Sequence, residues 1–225
     1  MKKYLVTIFT IVFVFSACTT TKRLTSGIQP SEVKDMQKFE TLSFISLIES
    51  GNKGKLNDTL SEKSKSKFEN TLREFNDIPL TNEINLSDTI TKKQVGKEIE
   101  LLCLSADRQK DIRNITIAPV LDSLLEASGK RFGLLTVTSG FTRNKGNYYG
   151  GQIAKGIATG ILTMGMYYQT PIKSNSTVYV MIVDAKDNNI AFFKKSSLRD
   201  VEPLDEKILK KQIEDIFEGY FWKSK

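Results

Sequence analysis

Histidine is absent from all 225 residues, and only two cysteines, five prolines and one tryptophan are present. Without an imidazole the chain cannot carry a Ser-His-Asp or Cys-His catalytic unit, a histidine-bearing zinc site or a histidine general acid or base. A Gly-Lys-Ser phosphate loop, a Gly-rich dinucleotide turn and a dense Asp/Asn calcium loop are missing too, so no cofactor and no metal are expected. Asp184-Ala185-Lys186-Asp187-Asn188-Asn189 is superficially calcium-like, but β-prone runs flank it on both sides. That is the setting of a tight turn. An enzyme would be left with carboxylate-only or Ser-Lys chemistry, and no catalytic residue is assigned.

A strong excess of one charge is also lacking. The 33 Lys and Arg against 26 Asp and Glu fall in mixed runs such as Glu62-Lys63-Ser64-Lys65 and Asp205-Glu206-Lys207. Interleaved charges of this kind are solvated helix faces, not the basic stripe that nucleic acid requires, and nucleic acid is not an expected partner. Nor is there a membrane-length apolar run. Tyr4 to Phe15 would span about 18 Å as a helix at ~1.5 Å per residue, well short of a hydrocarbon core of roughly 30 Å.

That short run has another meaning. Lys2-Lys3 precedes it and Phe15-Ser16-Ala17-Cys18 closes it, the three-part layout of a secretory signal peptide. The last four residues resemble the lipobox of bacterial lipoproteins, with Phe15 where leucine is commoner. The resemblance implies removal of residues 1–17 and a mature chain beginning at a Cys18 that carries acyl chains, palmitate among them. Three acyl chains exceed the two signals that suffice for stable anchoring. Losing Lys2 and Lys3 leaves 31 basic against 26 acidic residues, a mature charge of +5. Thr19 is not the aspartate that marks inner-membrane retention in enterobacterial lipoproteins, so the resemblance favours the cell outer membrane. No acidic cluster follows the anchor, which favours the periplasmic face.

With Cys18 acylated, only Cys103 remains and no internal disulfide can form. It lies in the apolar run Ile99-Glu100-Leu101-Leu102-Cys103-Leu104 and reads as a small buried hydrophobe, not as a nucleophile.

Residues 18–37 are expected to be the lipidated cysteine and a polar tether, and residues 38–225 one globular domain. Phe39 to Ile48 reads as a strand partly buried on both faces. Thr59-Leu60-Ser61-Glu62 is a capping-box match opening a helix over 60–76, and Ile84-Asn85-Leu86 is a short strand. Thr91-Lys92-Lys93-Gln94 opens a second helix with Val95, Ile99, Leu102 and Ala106 on one stripe. Pro119 starts a third helix that Gly129 ends. Phe132 to Thr142 is a strand. Thr177 to Val183, a turn over Asp184 to Asn189, and Ile190 to Phe193 form a hairpin with a central first strand. Pro203 introduces a last helix whose Leu209, Ile213, Ile216, Phe217 and Tyr220 share a face.

Asn147 to Tyr168 stands apart in composition, rich in glycine and alanine and bracketed by Tyr148, Tyr149, Tyr167 and Tyr168. Gly156-Ile157-Ala158-Thr159-Gly160 has the spacing that lets helices approach closely. Three readings stay open: a helix or loop packed on the protein's own sheet, a self-association surface, and a membrane-inserting element. The candidate interaction residues are Tyr149, Gly150, Gly151, Gly156, Gly160 and Gly165.

The predicted elements describe an α+β or α/β fold, a mixed sheet of about four or five strands with helices packed on it and the C-terminal helix covering it. In element order, and in the strand Val178 to Val183, the Asp184-led turn and the return Ile190 to Phe193, the chain resembles the envelope lipoproteins whose body looks like the TolB amino-terminal domain. That group includes the curli-secretion-channel lipoprotein and the penicillin-binding-protein activator lipoproteins. The chain also looks like uncharacterised Bacteroidetes lipoproteins. These resemblances imply a lipid-anchored envelope protein, and the reading adopted is a non-catalytic binding or assembly module in the periplasm. Its partners would be the membrane, through Cys18, and another envelope protein or a second copy. The alternatives are an oligomeric outer-membrane channel component and a histidine-free envelope enzyme.

Overall fold

A computed structural model describes residues 20–51, 53–86, 88–144 and 172–223. Among them the chain runs β1 (Thr20–Thr25), a 3-10 turn (Pro30–Glu32), β2 (Met36–Lys38), β3 (Leu42–Ile48), β4 (Lys55–Leu56), α1 (Asp58–Arg73), β5 (Leu80–Glu83) and α2 (Thr89–Arg108). It continues through α3 (Pro119–Ser128), β6 (Phe132–Arg143), β7 (Asn175–Asp184), β8 (Asn189–Arg199) and α4 (Glu206–Phe217).

All eight strands join one mixed sheet in the order β1-β8-β7-β6-β2-β5, with β3 also on β6 and β4 on β3. The twelve-residue β6 organises it. On one side β7 pairs antiparallel from Phe132↔Asp184 to Phe141↔Asn175; on the other, β2 pairs parallel with Phe132 to Leu134 and β3 parallel with Val137 to Arg143. Side chains alternate across the sheet, so Leu134, Val178, Val180 and Ile182 meet Phe68 and Leu72 of α1 and Ile213 and Phe217 of α4. Leu135, Val137, Met181 and Val183 meet Val95, Ile99 and Leu102 of α2 and Leu121 and Leu125 of α3 on the opposite face. Helices thus cover both faces, which is why the middle strands read as continuous apolar runs.

This is the α+β architecture expected from the sequence, with the C-terminal helix on the sheet, although the sheet is wider than four or five strands. The extra strands are β1, β2 and β4, of six, three and two residues. So few residues carry no readable period. Within the polar tether expected over residues 18–37, Thr20–Thr25 is instead an edge strand paired antiparallel with β8, and Met36 already opens β2. The residues of β1 alternate exposed and half-buried from Thr21 onward, so only half of it needs apolar character. The short strand expected at Ile84 to Leu86 lies instead at Leu80–Glu83.

The helices begin earlier than the capping boxes predicted. Asn57 caps α1, its Oδ1 accepting from the Leu60 amide at 3.0 Å, and Asp88 caps α2, its Oδ2 accepting from the Thr91 amide at 2.7 Å. Asn and Asp make better caps than Thr when several polar residues precede a helix. Gly129 ends α3 with φ 67°, a left-handed conformation that suits glycine. The hairpin is longer than expected, Asn175–Asp184 and Asn189–Arg199, and its turn is closed by Asp184 Oδ1, which accepts from the Lys186 amide at 3.0 Å.

Asp184 does more than make the turn. Its side chain is fully buried, and Arg131, just ahead of β6, grips it with two parallel hydrogen bonds, Nε to Oδ1 at 2.8 Å and Nη2 to Oδ2 at 2.6 Å. The pair pins β6 to β7 at the hairpin-turn end of the sheet.

Candidate functional site

The residues singled out from the sequence, Cys18 and Tyr149, Gly150, Gly151, Gly156, Gly160 and Gly165, all lie outside the described residues. Their nearest described neighbours are Thr20, which opens β1, and Asn144 and Ile172, which follow β6 and precede β7.

Strand β1 is fastened on both faces of the sheet. Because neighbouring strand residues point to opposite sides, Lys22 and Arg23 reach different helix layers. Lys22 Nζ donates to the carbonyls of Ala106 at 2.8 Å and Gln109 at 2.6 Å, and also to that of Asp107. These belong to the C-terminal end of α2, where carbonyls lack intrahelical partners and the dipole favours a cation. Arg23 Nη2 donates to the Gly219 carbonyl at 2.9 Å, just beyond α4, and its guanidinium lies 5.9 Å from the centre of the Tyr220 ring. Lys195 supports the first contact, its Nζ 2.8 Å from Asp107 Oδ2. One strand therefore ties the ends of α2 and α4 together. Lys22→Met keeps the stem and removes the charge. It is expected to lower stability by about 1–2 kcal/mol, the scale of a charged hydrogen-bond cluster at a partly exposed helix end. Urea unfolding measures it, and a midpoint unchanged from wild type would refute the clasp.

A cleft of ≈ 490 Å³ lies between the C-terminal end of α1 and the β5 edge. Leu72, Phe75, Ile78 and Leu80 give it apolar walls, and Lys38, Glu69 and Glu83 form its polar floor. Lys38 Nζ lies 2.7 Å from Glu69 Oε1 and 3.3 Å from Glu83 Oε2. Burial alone would push Glu69 up, but the Lys38 ammonium and the Thr41 amide, which donates at 3.2 Å, hold it below the ordinary carboxylate value. Nearby, the hydrogen bond from Lys65 holds Glu40 low, with Lys92 3.6 Å away. Lys38 is thus matched by two carboxylates, and Arg73 is a second cation on the cleft wall. The cleft can order a peptide or another polar chain by hydrogen bonding, while its apolar walls supply contact area.

Cys103 is buried on α2 as its apolar surroundings predicted. Burial, with Asp107 and Glu100 adding repulsion, pushes its thiol up to about 12. Since the ordinary value is 9.0, folding favours the neutral thiol; that contribution is complete below about pH 9 and is lost as pH rises toward about 12. An aromatic disulfide reagent in mildly alkaline buffer is expected to leave native Cys103 unmodified and to titrate it fully after denaturant is added. Rapid reaction without denaturant would contradict the buried setting. Among the described residues no group of three or more Cys, Asp or Glu side chains is placed to hold a metal ion. No described helix is long and apolar enough to cross a membrane.

Sequence reasoning missed both the clasp and the cleft. The only signal for the clasp was Lys22-Arg23 inside the β-branched run Thr19 to Thr25, and adjacent cations in a polar stretch look solvated.

No protein-family model and no curated protein matches the sequence. Distant structural similarity to solved structures is found. The PelC dodecamer from Paraburkholderia phytofirmans is 9% identical, with 88% of this chain and 94% of that one covered at a TM-score of 0.37. A second PelC dodecamer from that organism, carrying a leucine-to-methionine substitution, is 8% identical, with coverage of 91% and 99% and a TM-score of 0.39. The LpoB C-terminal domain from Salmonella enterica is 11% identical, with coverage of 77% and 87% and a TM-score of 0.31. The structural similarity is distant, and no sequence family is assigned by it.

Proposed function

We propose that the protein is a lipid-anchored module of the cell envelope, held by acyl chains on Cys18 at the periplasmic face of the outer membrane, that binds another envelope protein without catalysing a reaction. The observation that carries this reading is the position of β1. Thr20 is already paired with Ser197, two residues after the lipobox cysteine, so a folded body follows the anchor without an intervening linker. The absence of histidine, the buried high-pKa Cys103 and a Lys38 matched by Glu69 and Glu83 support a binding role over a catalytic one. The cleft beside β5 is the binding surface in this reading, since β5 has β2 as its one ladder partner among the described residues and its outer edge can accept an extended segment.

Two measurements test it. Cells fed an alkyne fatty acid are expected to label the wild-type chain and not Cys18→Ser, and the variant is expected to leave the membrane fraction. Retention of label would overturn the anchor. A photo-crosslinking residue at Asn82, exposed on β5, is expected to trap a discrete partner, while one at Lys110, exposed beyond α2, traps none. Identical adducts from both positions, or none from Asn82, would remove the cleft from the reading, and mass spectrometry of the adduct separates a foreign partner from a second copy.

A further inference from the structure

The sheet register fixes which end of the molecule the N-terminus leaves from. Thr20 pairs with Ser197, Ser197 with Thr177, Thr177 with Ser139 and Ser139 with Phe44, so one row crosses the sheet from β1 to β3. Beyond this row, away from the core, lie the end of β6 at Arg143, the start of β7 at Asn175 and the end of β8 at Arg199. The chain therefore enters the fold at the same end of the sheet where it leaves after Asn144 and returns at Ile172. Cys18 precedes Thr20 by two residues, a reach of at most about 7 Å at ~3.3–3.6 Å per residue. Strand β1 is not a loose lead that could lengthen that reach, because its six residues are paired with β8 and its two cations grip the ends of α2 and α4.

We infer that this end of the sheet is the membrane-facing surface of the protein, seated against lipid headgroups, with the strands standing away from the bilayer; the inference rests on the acylated Cys18 proposed above. The chemistry of the end fits a headgroup surface. The end is of mixed charge, as zwitterionic headgroups are: Lys173 and Arg199 are exposed there beside Glu49, Asp200 and Glu202, and Phe44 is 38% exposed on the same face as the half-buried Phe141. The Arg143 guanidinium lies 5.7 Å from the Phe141 ring centre and donates to the carbonyls of Gly51 at 2.7 Å and Ile172 at 3.3 Å, tying three strand ends into one surface. Cations at headgroup level gain from anionic lipid, and aromatic rings favour the same zone. The opposite end, with the Asp184 turn, then stands about 30 Å further out, the length of β7 at ~3.4 Å per residue.

The test uses the full-length acylated protein in vesicles of phosphatidylethanolamine and phosphatidylglycerol containing a headgroup-spin-labelled lipid. Single cysteines for a fluorophore go at exposed positions, Lys173→Cys and Arg199→Cys at the near end and Lys186→Cys at the far turn; the buried Cys103 needs no removal. Circular dichroism confirms that each variant is folded. Quenching is expected to be several-fold stronger at the two near positions than at Lys186, and inserting a long Gly-Ser linker between Thr19 and Thr20 is expected to erase the difference. Equal quenching at all three positions in the unextended chain, or stronger quenching at Lys186, overturns the orientation. Mass spectrometry and vesicle flotation separate the two levels: a chain without acyl groups overturns the reading of Cys18 and the orientation with it, whereas an acylated, floating chain with the wrong quenching pattern overturns the orientation alone.

Discussion

Gly140→Val is expected to lower stability by about 3 kcal/mol or more, the upper range of steric overpacking, and so to shift the melting temperature by roughly 6–12 °C. A Cβ built on Gly140 would stand 2.2 Å from the carbonyl oxygen of Asn175 and 3.3 Å from Pro203 Cβ. The first obstacle is backbone, and it belongs to the opening of β7, where the Asn175 side chain also accepts from the Phe141 amide at 2.9 Å. Relief requires the two central strands to part by about an ångström, which breaks ladder bonds on both sides of the contact. Gly133 is the control. A Cβ there meets Leu125 Cδ2 at 2.8 Å and Phe39 Cε2 at 3.1 Å, both side-chain atoms, and the leucine can rotate away. Gly133→Ala is therefore expected to cost about 1 kcal/mol, well below Gly140→Val. Guanidinium unfolding of the two variants checks the order, and equal losses would show that the Asn175 carbonyl yields easily.

The second large effect is at the other end of the same strand pair. Arg131→Met is expected to cost about 3 kcal/mol, the low end of the range for breaking a buried ion pair, because Arg131 is itself about a third exposed. The reason is less the lost attraction than the carboxylate left behind. Asp184 is fully buried, and without the guanidinium its remaining contact is the Lys186 amide at 3.0 Å, with Asp187 adding repulsion nearby. A buried charge without its counterion carries its full desolvation cost, which is what the variant loses. Adding Asp184→Asn removes the stranded charge and is expected to recover part of the loss. Denaturant melts of wild type and both variants measure it, and a double variant no more stable than Arg131→Met would refute the stranded-charge account.

Both positions show where sequence reading stopped. The helices α2, α3 and α4 and the strands β6, β7 and β8 were legible because each carries a full period of apolar residues, as Val95, Ile99, Leu102 and Ala106 do on α2. The hairpin turn was legible from Asp and Asn types alone, and the structure places Asn188 there with φ 47°. The grip of Arg131 on Asp184 was not, since its partners are 53 residues apart and nothing local marks an arginine as paired. The same holds for Lys38, which pairs with Glu69 on α1 and Glu83 on β5, and for the contact of Gly140 with Asn175. Strand β1 was hidden by being an edge, where a polar, β-branched sequence satisfies the ladder as well as an apolar one. The pattern ending at Cys18 was legible because it is contiguous in sequence and needs no fold.

The pairing of β1 with β8 also orders events in time. Thr20 leaves the ribosome long before its ladder partner Ser197. The loop closed by that pair is nearly the whole domain, the kind of non-local contact that forms late in folding. Until β8 is in place, β1 has no ladder partner and the carbonyls of Ala106 and Gln109 have no Lys22 held against them to accept from. Closure of the last strand on the first then brings Lys22 and Arg23 onto the ends of α2 and α4, so the clasp is the seal that completes the fold.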